Sequence, residues 1–168
     1  LPLGNNYFCG RDIELQEIHT LLQQEKFLLL HGVGGIGKTE LAKHYAMTYA
    51  EEYDAVVFVR FLDSIESTIL SDTNFPIVHC TRSEGESDAA YLERKLQVLH
   101  QICTPRHLIL LDNFDTGDCE NLDFLTELPC PILVTSRVDY DGIFPQYEVD
   151  ILSDESALYQ ICLLYTSP

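Results

Sequence analysis

Short apolar runs alternate along this chain with segments in which apolar residues recur every three or four positions. Such runs, when rich in leucine, isoleucine and valine, are typical of buried parallel strands, and the intervening periodicity is typical of amphipathic helices. The alternation predicts an α/β domain in which a five-stranded, mainly parallel sheet carries helices on both faces. The predicted strands are residues 27–31, 55–59, 108–112, 132–135 and 147–149.

The segments between these runs predict the helices. Asp12 is a good N-cap for a first helix that ends near Gln24. Ser87 or Asp88 can cap a later helix, which Pro105 ends. Residues 64–84 have the weakest pattern of the chain. The remaining predictions are a helix through residues 41–50, short helices around 65–70 and 120–128, and burial of the β-branched strand at 55–59.

A glycine-rich octet joins the first predicted strand to the second helix. It is a complete match to the phosphate-binding loop pattern G-x-x-x-x-G-K-[ST]. Its glycines allow backbone N–H groups to turn inward around phosphates, its lysine would reach the β and γ oxygens, and its last residue would place a hydroxyl on Mg²⁺. The alternative is a glycine-rich turn with an incidental lysine. The octet is Gly32-Val33-Gly34-Gly35-Ile36-Gly37-Lys38-Thr39.

Three charged residues stand at or shortly after the ends of later predicted strands. Asp112 closes four apolar residues, as a carboxylate that holds magnesium through water would, although an aspartate here can also be a simple turn residue. Asp115 is the next carboxylate that could polarise an attacking water. Arg137 follows the strand at 132–135 and could contact a γ-phosphate. Pairing of this arginine with Asp139 or Asp141 is the alternative, and the residues alone leave both open.

Composition narrows the class further. The chain has 27 acidic and 10 basic residues, with no basic stripe, which disfavours binding to a nucleic-acid backbone. Its six cysteines are far apart and form no C-x-x-C pair, so we interpret them as reduced, buried thiols of a cytoplasmic protein. No apolar run reaches about 18 residues, and nothing in the sequence points to a membrane.

Four segments, in family order, resemble the motifs of the NB-ARC branch of the STAND nucleotide-binding proteins, and the match covers most of the chain. The resemblance implies that Phe8, Gly10 and Arg11 line an adenine pocket and that Arg137 senses the γ-phosphate. It also implies an ATP/ADP switch, with Mg²⁺, that is attached to effector and repeat domains and can self-associate with nucleotide. The segments are F-x-G-R-x-x-E-L at 8–15, the phosphate loop at 31–42, the Walker B strand at 110–113 and T-[TS]-R at 132–137.

Two positions depart from the family pattern. Asn113 stands where many relatives carry a second acid, so hydrolysis is expected to be slow. Glu40 stands where threonine is common, beside the bound nucleotide, and would complement the helix dipole. We therefore predict a nucleotide-dependent switch with weak ATPase activity, the alternative being a nucleotide-binding scaffold with little or no turnover. A small-molecule kinase is disfavoured, because no basic cluster marks an acceptor site.

The predicted organisation has three parts. Residues 1–152 form the nucleotide-binding domain, and residues 153–161 begin the helical lid that the resemblance implies. Residues 162–168 resemble the translated end of a sequencing adapter. The alternative is that residues 157–165 are one native amphipathic helix.

Overall fold

The computed structural model describes residues 11–33 and 37–149. Their five strands form one sheet in the order β2-β3-β4-β1-β5, and every neighbouring pair is parallel. This confirms the predicted fold class. Predictions that fall on Phe8, Gly10, Gly34, Gly35, Ile36 and residues 153–168 lie outside the described residues. The strands are β1 (Phe27–His31), β2 (Ala55–Arg60), β3 (His107–Asp112), β4 (Ile132–Ser136) and β5 (Gln146–Glu148).

The helices lie close to their predicted positions, with three differences at their ends. Asp12 is the first helical residue and does not cap the helix, since Arg11 holds the N-cap position. The helix predicted through residue 50 ends at residue 48, and the one predicted over 120–128 is a single turn flanked by hydrogen-bonded turns. The helices are α1 (Asp12–Glu25), α2 (Lys38–Thr48), α3 (Ile65–Leu70), α4 (Asp88–Ile102) and α5 (Asp123–Thr126).

Apolar side chains on opposite faces of the sheet pack into two separate cores. Successive residues of a strand point to opposite faces, so Leu28 and Leu30 pack in one core while Leu29 packs in the other. The first core is completed by the apolar stripes of α1 and α2. The second is completed by α3, α4 and α5. Helices therefore cover both faces, as predicted.

Strand β2 corrects one expectation from the sequence. Its burial was predicted from its β-branched composition, but Val56 and Phe58 are 40% and 42% exposed. The reason is position, because β2 is an edge strand that pairs with β3. The side-chain amide of Asn74 accepts from the Arg60 N–H at 3.0 Å and donates to the Arg60 carbonyl at 2.7 Å. This contact occupies edge groups that would otherwise be open to another strand.

A buried lysine fixes the segment that the sequence left least readable. Lys95 of α4 is 0% exposed and donates to the Ile69 carbonyl at 2.7 Å, at the end of α3. Its ammonium also pairs with Asp72 at 2.7 Å and lies 5.3 Å from the centre of the Tyr91 ring. The Tyr91 hydroxyl donates to the same carboxylate at 2.7 Å. The chain after α3 is thus tied to α4 by polar contacts.

Replacing Lys95 by methionine keeps most of the side-chain volume but removes every donor. The buried Ile69 carbonyl then lacks this partner, and we expect the free energy of unfolding to fall by about 1–3 kcal/mol. Urea unfolding at neutral pH measures this. The matched control is Lys43→Met, at a residue 49% exposed, where a surface change should stay within about 0.5 kcal/mol. Equal losses in the two variants would contradict the structural role of Lys95.

Wild type and Lys95→Met should also differ in how their free energies of unfolding change in acid. The hydrogen bond from the Lys95 ammonium holds the pKa of Asp72 below its usual 3.8. A lowered carboxyl pKa stabilises the fold above the usual pKa, and this contribution is lost as the pH falls through the lowered one. The stability difference between wild type and Lys95→Met should therefore shrink at acid pH. A stability difference that grows as the pH falls would contradict the stabilising role of the Lys95–Asp72 ion pair.

Candidate functional site

A cleft of about 450 Å³ opens at the carboxyl edge of the sheet. In parallel α/β sheets, ligands bind at this edge because loops from several strands meet there. Here three chain segments converge: the start of α2, the loop after β3 and the loop after β4. The cleft is lined by Gly37, Lys38, Thr39, Glu40, Asn113, Asp115 and Arg137.

The strand order determines how these segments meet. Strand β4 lies between β1 and β3. The end of β1 and Asp112, at the end of β3, are therefore two strand spacings apart, about 10 Å. Helix α2 crosses that gap, since it packs on both β3 and β4. The Thr39 hydroxyl, in the first turn of α2, donates to Asp112 Oδ1 at 2.7 Å. The two residues predicted to serve magnesium are therefore in direct contact.

Thr135 of β4 completes this contact, and sequence reasoning assigned it no role. Its side chain is 2% exposed, and its hydroxyl donates to the same oxygen, Asp112 Oδ1, at 2.7 Å. The same hydroxyl accepts from the Asn113 N–H at 2.9 Å. Asp112 is itself 2% exposed, and a buried carboxylate needs such partners. The available signal was the T-S-R stretch at the end of the β4 run.

The chain after β3 turns sharply at Asn113. This residue has φ +59°, in the left-handed region that asparagine tolerates better than most residues. The turn is held by the Phe114 N–H, which donates to the Thr135 carbonyl at 2.8 Å, and by the Ser136 hydroxyl, which donates to the Phe114 carbonyl at 2.6 Å. Phe114 is fully buried. These contacts hold the loop that carries Asn113 and Asp115 at the cleft.

Lys38 lies at the start of α2 with its ammonium turned back to the loop. Its Nζ donates to the carbonyls of Gly32 at 2.7 Å and Val33 at 2.8 Å. Burial lowers the pKa of Lys38, the charge of Asp115 opposes this shift, and the charge of Arg137 adds to it. Gly37, with φ +86°, takes the N-cap position in the left-handed conformation. A cation and a helix N-terminus therefore face the cleft together, as anion binding requires.

Arg137 pairs with Asp115 rather than with the two aspartates considered from the sequence. Its Nε–H donates to Asp115 Oδ2 at 3.1 Å, and its backbone N–H donates to Asp115 Oδ1 at 2.7 Å. Asp139 instead accepts hydrogen bonds from the Asp141 N–H and the Gln146 amide. The arginine side chain is 64% exposed. Both residues predicted to act at the γ-phosphate are thus at the cleft and in contact with each other.

Glu40 and Arg11 complete the described part of the predicted site. Glu40 lines the cleft and forms an exposed pair with Lys43 at 3.8 Å. Arg11 is 4% exposed and pairs with Glu14 at 2.5 Å. Because α1 turns directly into β1 and packs against it, its first residues lie toward the carboxyl end of that strand. A role of Arg11 at the adenine stays a prediction.

Comparison with solved structures identifies the fold as that of P-loop ATPases. Cdc6p from Pyrobaculum aerophilum aligns with a TM-score of 0.64 and 16% identity, over 91% of this chain and 48% of that chain. A Walker-type ATPase of Pyrococcus abyssi aligns at 0.54 and 12% identity, over 90% and 56%. Drosophila ORC bound to AT-rich DNA and Cdc6 aligns at 0.55 and 15% identity, over 91% and 61%. The chain spans about half to three fifths of these proteins.

A family model matches one part of the chain. Residues 12–79 match the family described as Novel STAND NTPase 3. Together with the fold, this match confirms the prediction of a STAND-type P-loop NTPase. No curated protein matches the sequence. In the described part of the chain, the helices are too short or too polar to cross a membrane.

Thr135→Val tests the hydrogen bonds that Thr135 makes to Asp112 and Asn113 without changing side-chain shape. These bonds and the Thr39–Asp112 bond form one cluster. The substitution removes one donor to the buried Asp112 carboxylate and the acceptor for the Asn113 N–H, so the free energy of unfolding should fall by about 1–3 kcal/mol. Thr48→Val is the matched control, because the Thr48 hydroxyl is exposed and bonds its own helix at His44. Thermal and urea unfolding would report the difference. A loss no larger than that of the control would contradict the importance of the cluster.

Proposed function

We propose that this chain is the nucleotide-binding unit of a STAND-type signalling switch, which binds ATP or ADP with Mg²⁺ and resets by slow hydrolysis. The observation that carries the proposal is the contact between Thr39 and Asp112, beside the buried ammonium of Lys38. It joins the start of α2 to a carboxylate on β3, which is not a neighbour of β1 in the sheet. A glycine-rich turn with an incidental lysine would not require that arrangement.

The residues at the cleft suit magnesium bound together with a nucleotide. Mg²⁺ prefers oxygen ligands and usually keeps several waters while it takes phosphate oxygens. Thr39 offers a hydroxyl and Asp112 a carboxylate that already orients it. In the described residues no group of three or more His, Cys, Asp or Glu side chains could hold a metal. The phosphates and water would therefore supply the remaining ligands, and the bound ion would neutralise charge on them.

The other cleft residues take roles that follow from their positions. Lys38 would bind the β- and γ-phosphates, which would replace the loop carbonyls as partners of its ammonium. Arg137 would contact the γ-phosphate from the β4 side. Asp115 would accept a proton from, or orient, the attacking water. Phe8, Gly10 and Arg11 would contact the adenine, as the family resemblance implies.

A binding scaffold with little turnover is the second candidate, and Asn113 favours it. This residue follows Asp112 directly and lines the cleft, but an amide cannot act as a general base at neutral pH. Asp115 is the next carboxylate along the chain that lines the cleft, and it is engaged with Arg137. Glu40, the other cleft-lining carboxylate, pairs with Lys43. Slow hydrolysis or none is the expected consequence.

The wider biology is also a proposal. The relatives with solved structures include a protein bound to DNA, but the charge of this chain, −17, gives no support for DNA contact by this segment. We propose a cytoplasmic protein whose effector, repeat and lid domains lie in sequence outside residues 1–152. Protein partners and nucleotide-dependent self-association would act through those domains.

Lys38→Ala tests nucleotide binding directly. Loss of the ammonium should weaken the affinity for both ATP and ADP by at least about tenfold, since charged hydrogen bonds to phosphate contribute about 1.5–3 kcal/mol. Titration calorimetry on the full chain measures the affinity. Lys43→Ala, five residues further along α2 and exposed, should bind as wild type does. Unchanged affinity in Lys38→Ala would refute the proposal.

Single-turnover hydrolysis separates the switch from the scaffold. With enzyme in excess and at saturating concentration, the rate does not depend on affinity, so Asp115→Ala should slow it by about 10²-fold or more if Asp115 serves the water. Asp139→Ala removes a carboxylate beyond β4 that does not line the cleft, and should leave the rate unchanged. A wild type with no measurable turnover would favour the scaffold.

A further inference from the structure

The ion pair between Asp115 and Arg137 occupies the two groups that the proposed function directs at the γ-phosphate. Both residues line the cleft, and the charges of both act on Lys38, with opposite effects on its pKa. The pair is therefore within electrostatic range of the ammonium that would bind the β- and γ-phosphates. In the proposed function Arg137 contacts the γ-phosphate, so ATP would meet this pair and ADP, which lacks that phosphate, would not.

We propose that Asp115 is a positioning residue that holds Arg137 away from the γ-phosphate, so that ATP must displace the pair and ADP need not. This inference rests on the proposed function, because it assumes that nucleotide binds in this cleft. The pair would then lower the affinity for ATP relative to ADP.

The two contacts of Asp115 differ in a way that suits this role. One oxygen accepts from the Arg137 backbone N–H at 2.7 Å, and that contact can persist when the side chain moves. The other accepts from Nε at 3.1 Å, on a side chain that is 64% exposed. The guanidinium can therefore leave while the carboxylate stays at the cleft. Release of Arg137 to the γ-phosphate would also free Asp115 to orient the water.

The size of the effect follows from the exposure of the pair. Exposed ion pairs contribute little, so their loss changes an equilibrium by about fivefold at most. A competing pair of this strength would bias the choice between ATP and ADP without preventing ATP binding. A ligand shifts such an equilibrium only by its differential interaction with the two states, which here is the γ-phosphate contact.

A double-mutant cycle tests the proposal. Affinities for ADP and for a non-hydrolysable ATP analogue are measured with Mg²⁺ on the full chain for wild type, Asp115→Asn, Arg137→Ala and the double variant. Asparagine retains an oxygen for the Arg137 backbone N–H, so the loop should keep its fold. We expect Asp115→Asn to tighten the ATP analogue by about two- to fivefold relative to ADP, and this selectivity to disappear when Arg137 is already alanine.

The controls distinguish an effect of the Asp115–Arg137 ion pair from a general effect of removing one negative charge. Asp139→Asn removes the same charge from a carboxylate that accepts a hydrogen bond from Gln146. It should change the affinities for the ATP analogue and for ADP equally or not at all. Equal tightening of ATP and ADP by Asp115→Asn would overturn the proposal, as would selectivity that persists in the double variant. If wild type binds neither nucleotide, or Lys38→Ala binds as wild type, the proposed function fails and this inference fails with it. If Lys38→Ala loses nucleotide affinity as expected, but Asp115→Asn leaves the ratio of ATP-analogue to ADP affinity unchanged, only the ion-pair proposal is rejected.

Discussion

The buried carboxylate of Asp112 is the constraint on which the site depends. It is nearly inaccessible to water, and it accepts hydroxyl hydrogen bonds from Thr39 and Thr135 on the same oxygen. A charge in that position is tolerated only with such partners. Asp112, Thr39 and Thr135 belong to β3, α2 and β4, respectively. Their hydrogen bonds therefore fix α2 against both β3 and β4, although β1, which leads into α2, pairs with β4 and not with β3.

From this point the rest of the cleft follows. With α2 held across β4, the start of the helix and the Lys38 ammonium face the loops after β3 and β4. Asn113 turns the β3 loop through a left-handed conformation, which brings Asp115 to the arginine at the end of β4. The same arrangement that brings Lys38 and Arg137 to the cleft also places the amide of Asn113 there, where the proposed hydrolysis would be served by a carboxylate. Binding is therefore better supported by the residues present than rapid hydrolysis.

Much of this architecture could be predicted from the sequence because its signals are local. Apolar runs located the five strands, and the octet located the junction between β1 and α2. The exposure of β2 could not be read from composition, because a β-branched edge strand and a β-branched central strand look alike along the chain. The roles of Thr135 and Lys95, and the choice of Asp115 as the partner of Arg137, depend on contacts between residues distant in sequence. Only the folded sheet brings those residues together.

The dependence of nucleotide affinity on Mg²⁺ tests the central claim most directly. If Thr39 and Asp112 form a magnesium site that exists only with bound phosphates, Mg²⁺ should tighten ATP binding to wild type, and Asp112→Asn should remove most of that gain while leaving metal-free affinity nearly unchanged. Calorimetric titration of both proteins, with Mg²⁺ and with chelator, gives the four affinities. A wild type that binds ATP equally well with and without Mg²⁺, or a variant that keeps the full gain, would contradict the account.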